Sequence, residues 1–325
     1  MDVTWMRSVG IVTSGGDAPG MNAAVRAVVR EGIPNGFKTI GIERGYAGLL
    51  EDETRHLGLR SVSGIVHLGG TILRTERCSE FKTKKGLQKA WKVLKKEEIE
   101  TLVVIGGKGS FKGALELSDI SGVNIIGIPA SIDNDVYGTD ETIGFDTAVN
   151  TALSAIDKIR DTATSLSRVF VVETMGRDRG FIALDVGLAA GAEGILVPEV
   201  KTDMNNIYKK IIDSREKGKT SNIIVAAEGF GNSRKIAESI EKNTGYETRL
   251  TVLGYVQRGG TPTARSRILA NLFGSKAVEL ILNGEKNRIV CLSDGKVTTV
   301  DLSASCMSEK PLDLKMLRLA EELAV

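Results

Sequence analysis

The chain has 325 residues, 42% of them hydrophobic and 26% charged, a globular composition long enough for two domains. Forty-three lysines and arginines face 41 aspartates and glutamates, so there is no broad basic footprint for nucleic acid. With His56 and His67 as the only histidines, a histidine-built zinc site or a Ser-His-Asp triad is all but excluded. Cys78, Cys291 and Cys306 are scattered and odd in number, which points to a reducing, cytoplasmic home rather than a disulfide framework. No apolar run reaches the roughly 18 residues that span a membrane. Glycine is abundant, at 37 residues against 6 prolines, which suggests tight turns rather than a flexible linker.

The opening MDVTWMRSVGIVTSGG reads as a first strand running into a loop, with its apolar, β-branched centre at Val9 to Thr13. A glycine turn and a helix over Ala23 to Glu31 complete a βα unit. A second strand is expected near Phe37 to Ile42, followed by the segment GYAGLL. Helix over Gly86 to Leu94, strand over Thr101 to Ile105, helix over Phe111 to Leu117 and strand over Asn124 to Ile128 come next. Ala148 to Asp161 has the spacing of a long amphipathic helix. Strands are then expected at 168–173, 194–197, 222–227 and 248–253, alternating with helices at 181–190, 205–216, 233–242 and 264–282. A hairpin turning at Asp294-Gly295 and a last helix over Leu312 to Leu323 close the chain. The pattern is α/β with largely parallel sheets.

Polar glycine loops recur at strand C-terminal ends: 14–22, 106–110, 129–135 and 174–180. Open α/β sheets bind ligands there, so the repetition implies a shared crevice. Glycine turns entering helices offer backbone N–H groups to anions, as at Ser14-Gly15-Gly16 and at Gly106, Gly107, Gly109 and Ser110. Neither loop is a familiar one. The Walker A spacing fails because Asp213 stands where Gly218-Lys219-Thr220 would require glycine, and the first loop misfits the dinucleotide pattern. Asp133 and Asp135 project the same way if the segment is extended, and a turn could bring Asp140 near. Carboxylates beside a phosphate loop suit a general base and a Mg²⁺ ligand. Arg168, Arg177, Arg249 and Arg258, each beside a strand end or glycine loop, together suggest a phosphorylated substrate. Glu228, closing its strand, suits a sugar hydroxyl or a helix cap.

Long motifs then carry a resemblance: TSGGDAPGMNAAVR at 13–26, IGGKGS at 105–110, PASIDND at 129–135, GTDETIGFDTA at 138–148, VVETMGRDRG at 171–180 and GYVQRGGTP at 254–262. Along essentially its whole length the chain resembles the bacterial ATP-dependent 6-phosphofructokinase family. That resemblance implies two similar three-layer α/β/α lobes: 1–144 with about 257–305 for nucleotide, and 145–256 with about 306–325 for sugar phosphate. It implies a homotetramer that passes the γ-phosphoryl group of ATP, with Mg²⁺, to the 1-hydroxyl of fructose 6-phosphate. Gly16, Arg77, Cys78, Gly107, Lys108, Gly109 and Ser110 fall on nucleotide-site positions. Asp133 falls on the catalytic base, flanked by Ser131, Ile132 and, as metal ligand, Asp135. Arg177, with Met175 and Gly176, falls on a transition-state and substrate position, and Glu228 on a contact to the fructose ring. Arg249, Tyr255 and Arg258 match positions at the 6-phosphate, and Arg168 with Arg249 match residues reaching the neighbouring subunit's substrate. A separate ADP or phosphoenolpyruvate site is implied for Arg26, Arg30, Arg160, Gly191, Glu193, Lys217 and Lys219, with Arg60 one residue out of register.

The chain departs from the family pattern at several positions. Lys108 stands where an aspartate usually helps hold Mg²⁺, Tyr255 where a histidine touches the 6-phosphate, and Cys78 where an aromatic packs on adenine. Arg74 and Glu76 alter the same loop, and Ala130 replaces a glycine. Gly109 and Ala130 argue for ATP over pyrophosphate, which goes with aspartate and lysine there. These departures leave two alternatives beside the kinase: a catalytically weakened regulatory or sensor protein, and a related kinase with another phosphoryl donor or sugar phosphate.

Overall fold

The structure is a computed structural model that describes residues 7–324. The first six residues of the expected opening strand lie outside the described residues. The described chain divides into two compact units: residues 7–131, 135–147 and 258–310, and residues 132–134, 148–257 and 311–324.

The first unit opens with β1 (Arg7–Ser14), α1 (Met21–Gly32), β2 (Phe37–Ile42), α2 (Gly45–Leu50) and β3 (Thr54–His56). It continues with α3 (Lys84–Lys96), β4 (Thr101–Gly106), α4 (Lys108–Ser121) and β5 (Asn124–Pro129). Helix α5 (Phe145–Leu166) starts here and runs into the second unit, which follows with β6 (Val169–Thr174), α6 (Phe181–Ala190), β7 (Gly194–Leu196) and α7 (Met204–Glu216). Next come β8 (Asn222–Ala227), α8 (Ser233–Thr244) and β9 (Thr248–Val252). The chain returns to the first unit for α9 (Ala264–Leu282), β10 (Arg288–Ser293), β11 (Lys296–Asp301) and α10 (Leu302–Met307), and ends in the second with α11 (Leu314–Leu323). Elements α2, β3 and α10 have no counterpart among the elements expected from the sequence. Each is six residues or fewer, too short to display a period.

The first sheet has the order β11-β10-β5-β4-β1-β2-β3, parallel except for its two outer strands. On one face Val12, Ile40, Val104 and Ile125 pack with Leu94 of α3 and Phe111 and Leu117 of α4. Helices α1 and α9 pack together so closely that a Cβ on Gly274 would lie 2.5 Å from the Ala27 methyl. The strand order reverses direction between β1 and β4, the switch point where open α/β sheets hold ligands. The second sheet, β7-β8-β6-β9, is wholly parallel, with Val171, Leu196 and Ile224 packed on Ile207, Ile211 and Ile240 of α7 and α8. Asp203, Asn232, Thr263, Asp301 and Asp313 accept backbone N–H bonds at the starts of α7 to α11. Gly122, Gly191 and Gly245, all left-handed, end α4, α6 and α8.

Candidate active site

In the first unit, three adjacent parallel strands end side by side, with Ser14 of β1 opposite Gly106 of β4, and Gly106 opposite Pro129 of β5. Their loops are therefore neighbours. The Ser110 side chain lies between two of them: a Cβ on Gly15 would come 3.0 Å from its hydroxyl oxygen, and one on Gly106 would come 2.7 Å from it. Only glycine admits that approach, and Gly15 also has φ 90°. The Ala130 N–H donates to the Gly106 carbonyl at 2.9 Å, and a Cβ on Gly107 would sit 3.5 Å from that of Ser131. A Cβ on Gly109 would meet nothing, so the start of α4 is open. There the first-turn N–H groups and the helix dipole favour an anion.

Beneath this loop lies a brace that no motif of the sequence marks. Tyr46 of α2 donates its buried hydroxyl to the Ser110 carbonyl at 2.6 Å and stacks on Phe81 with ring centroids 3.9 Å apart. Burial, with the Cys306 thiol adding to it, pushes its ionisation above the ordinary tyrosine range. The segment GYAGLL was visible, but nothing in it announced that its tyrosine holds another loop.

The 69–78 loop closes over the first loop. Thr75 donates to the Gly15 carbonyl at 2.8 Å, and Thr13 to the Arg74 carbonyl at 2.9 Å. Arg77 is exposed, while Cys78 is half-buried against the core. Arg74 and Glu76 join a surface ion network with Glu43 and Arg44 at 2.8 and 2.7 Å. Arg258 lies against Gly16, where a Cβ would overlap its guanidinium, and donates to the Asp17 carbonyl at 3.2 Å.

The segment that carries the candidate carboxylates is not extended. Ile132 and Asp133 lie in a turn and Asn134 is left-handed at φ 54°, so strand alternation does not set Asp133 and Asp135 on one side. Asp133 groups with the second unit and half-buried Asp135 with the first. Asp140 braces the β10–β11 hairpin, accepting from the Asp294 N–H at 2.8 Å.

Within the second unit, Asp133 is 8% exposed, and its Oδ2 lies 3.3 Å from Nε of Arg177. The loop after β6 is shaped to present that arginine. Gly176 has φ 140° and Arg177 φ 53°. Both of their N–H groups donate to Oε1 of Glu228, at 3.1 and 2.6 Å. The Met175 N–H donates to buried Gln257 at 2.8 Å. Glu228, expected at the sugar, thus also holds the Arg177 loop, and Gln257 is a positioning residue the sequence reading missed. A polar side chain inside GYVQRGG, between exposed Tyr255 and Arg258, was the available signal.

Arg168 and Arg249 gather elsewhere, both paired to Glu247, with the Arg168 contact at 2.8 Å. They sit at the N-terminal ends of β6 and β9, whereas Arg177 follows the C-terminal end of β6. At about 3.3 Å per residue the strand separates them by roughly 17 Å. Within one chain Arg168 and Arg249 therefore do not converge with Arg177.

The residues expected at an effector site fall in two groups. In the second unit, Arg160 donates to the Ala190 carbonyl beside Gly191. Nearby Glu193, 1% exposed, pairs with Lys219 and accepts from the Ile223 N–H. Lys217 caps α7. Arg26, Arg30 and Arg60 belong to the first unit, Arg26 half-buried and the other two exposed.

The family model for phosphofructokinase matches residues 8–281. The chain is 52% identical over 319 residues to an ATP-dependent 6-phosphofructokinase of Clostridium tetani, covering 98% of this chain and 100% of the relative. It is 51% identical to one of Halothermothrix orenii with the same coverage. Among solved structures, phosphofructokinase from Saccharomyces cerevisiae matches with a TM-score of 0.85 and 34% identity over 97% of this chain, which spans 46% of that longer chain. A pyrophosphate-dependent phosphofructokinase from Marinobacter aquaeolei, 22% identical with a TM-score of 0.84, shares the fold. The chain belongs to the phosphofructokinase family.

Proposed function

We infer that the chain transfers the γ-phosphoryl group of ATP to the 1-hydroxyl of fructose 6-phosphate, a step of glycolysis. The observation that carries the chemistry is the buried Asp133 carboxylate held 3.3 Å from the Arg177 guanidinium. Asp133 accepts the proton of the attacking hydroxyl, with bulk water largely kept out. Arg177 stabilises charge on the transferring group. The open start of α4 receives the nucleotide phosphates, and the loops of Gly16, Arg77 and Cys78 border it. Gly109 leaves room for a nucleoside triphosphate, which favours ATP over pyrophosphate as donor.

Among the described residues no three acidic, histidine or cysteine side chains gather into a metal cage. A magnesium ion carried by the nucleotide needs only one or two carboxylates beside phosphate oxygens and water. Asp135 suits that role, whereas Lys108 cannot ligate a cation. When bound, the ion neutralises the phosphates and supplies Lewis acidity.

The separation of Arg168 and Arg249 from Arg177 supports an assembly in which these two arginines serve a neighbouring copy's sugar phosphate, as in a homotetramer. Arg258 and Tyr255 complete the proposed 6-phosphate contacts, with Tyr255 limited to a neutral hydroxyl. The Arg160, Glu193 and Lys219 group supports a separate site for ADP or phosphoenolpyruvate. No described helix is long and apolar enough to cross a membrane.

The test is Asp133→Ser assayed with Mg-ATP and fructose 6-phosphate. Turnover should fall by several orders of magnitude while sugar-phosphate affinity stays within a few-fold. Unchanged turnover would remove Asp133 as base.

A further inference from the structure

Lys108 is the first residue of α4, flanked by Gly107 and the open position at Gly109. Its ammonium is not left to solvent: Nζ lies 2.7 Å from Oε1 of Glu309, just beyond α10. The two partners differ in burial, with the lysine side chain 19% exposed and the glutamate 62%. Lys112, one turn further along α4, adds a second cation, exposed to solvent. A positive field thus surrounds a helix start whose first-turn N–H groups already favour anions.

An ion pair whose acid is this exposed holds weakly. A polyphosphate carries several negative charges against the one of Glu309, and the lysine stem has four flexible carbons. We propose, resting on the nucleotide reading, that Lys108 is a ligand of the donor's phosphates held in reserve by Glu309. The ammonium leaves the carboxylate when a polyphosphate occupies the start of α4. It then supplies part of the positive charge that a divalent cation otherwise provides. This chain therefore binds metal-free triphosphate, and Glu309 competes with the donor for Lys108.

The experiment is calorimetric titration of the full chain with ATP and with inorganic tripolyphosphate in excess EDTA, beside Mg-ATP, with melting curves on every variant. Lys108→Met should weaken metal-free binding of both probes about tenfold or more, the worth of a charge-assisted contact, and Mg-ATP binding distinctly less. Glu309→Gln should tighten metal-free binding by about threefold to fivefold, the worth of an exposed ion pair. The double variant should match Lys108→Met, because Glu309 reaches the donor through the lysine it pairs with. Metal-free binding that is unchanged or weakened in a normally melting Glu309→Gln would overturn the proposal. So would equal losses for metal-free and Mg-ATP in Lys108→Met. Failure of the parent chain to bind even Mg-ATP would overturn the nucleotide reading itself, and this proposal with it.

Discussion

Glu228→Ala separates two roles that one carboxylate can play. Its Oε1 accepts from the N–H groups of both Gly176 and Arg177. Hydrogen bonds to a charged group are worth roughly 1.5–3 kcal/mol each. The loop is partly exposed, with the Arg177 side chain at 59%, so water recovers about half of that, leaving about 2 kcal/mol for the pair. Arg177 also stores roughly 1 kcal/mol of left-handed backbone strain at φ 53°, which is released once the bonds are gone. The loop should therefore leave its held conformation by about 2–3 kcal/mol, and kcat should fall about 30- to 150-fold as Arg177 loses its place beside Asp133. Glu228→Gln retains one acceptor oxygen without the charge and should lose about three- to tenfold. Steady-state kinetics with Mg-ATP and fructose 6-phosphate, varying each substrate in turn, reads both numbers. A variant whose KM for the sugar phosphate rises while kcat holds would refute the reasoning, because Glu228 would then act on substrate alone.

Tyr46→Phe removes one of two donors from the Ser110 carbonyl, which keeps its partner within α4, a loss of about 0.5–1.5 kcal/mol, and should lower the melting temperature by one to a few degrees while raising KM for ATP. An unchanged melting curve and KM would show that Tyr46 does not brace the loop. Burial pushes the Cys291 thiol up to about 12 and the Cys306 thiol up to about 11, against 9.0 without burial. Between about pH 9 and pH 11 the folded chain thus holds protons that the unfolded chain has lost, so stability is retained below that window and declines through it. Denaturant midpoints at pH 8, 9.5 and 10.5 should fall in order, and replacing both cysteines by alanine should flatten the decline. An equally steep decline in that variant would assign the effect to other groups.

The parallel core strands were readable because each is a short, β-branched apolar run ending at glycine, a local pattern that needs no partner to be recognised. Thr101–Gly106 and Asn222–Ala227 are buried at every position. The glycine loops were readable for the same reason: Gly15, Gly106 and Gly176 stand where backbone must pass close to other atoms. The relation of Asp133 to Asp135 was not readable, because a single left-handed residue, Asn134, removes the extension on which the alternation depends. No rule of spacing announces that turn.

The local pattern of the chain was sufficient for the α/β class, the strand-end loops and the identity of the residues that carry charge. Folding alone settled which groups meet: Lys108 with Glu309 across 201 positions, the Thr13 hydroxyl with the Arg74 carbonyl, and Glu228 with the loop of Arg177. It also parted Arg168 and Arg249 from Arg177, which their places beside strand ends and glycine loops had grouped together. Periodicity records what a residue does for its own helix or strand. The order in which strands assemble sets its distant neighbours, and that order depends on packing between elements far apart in the chain.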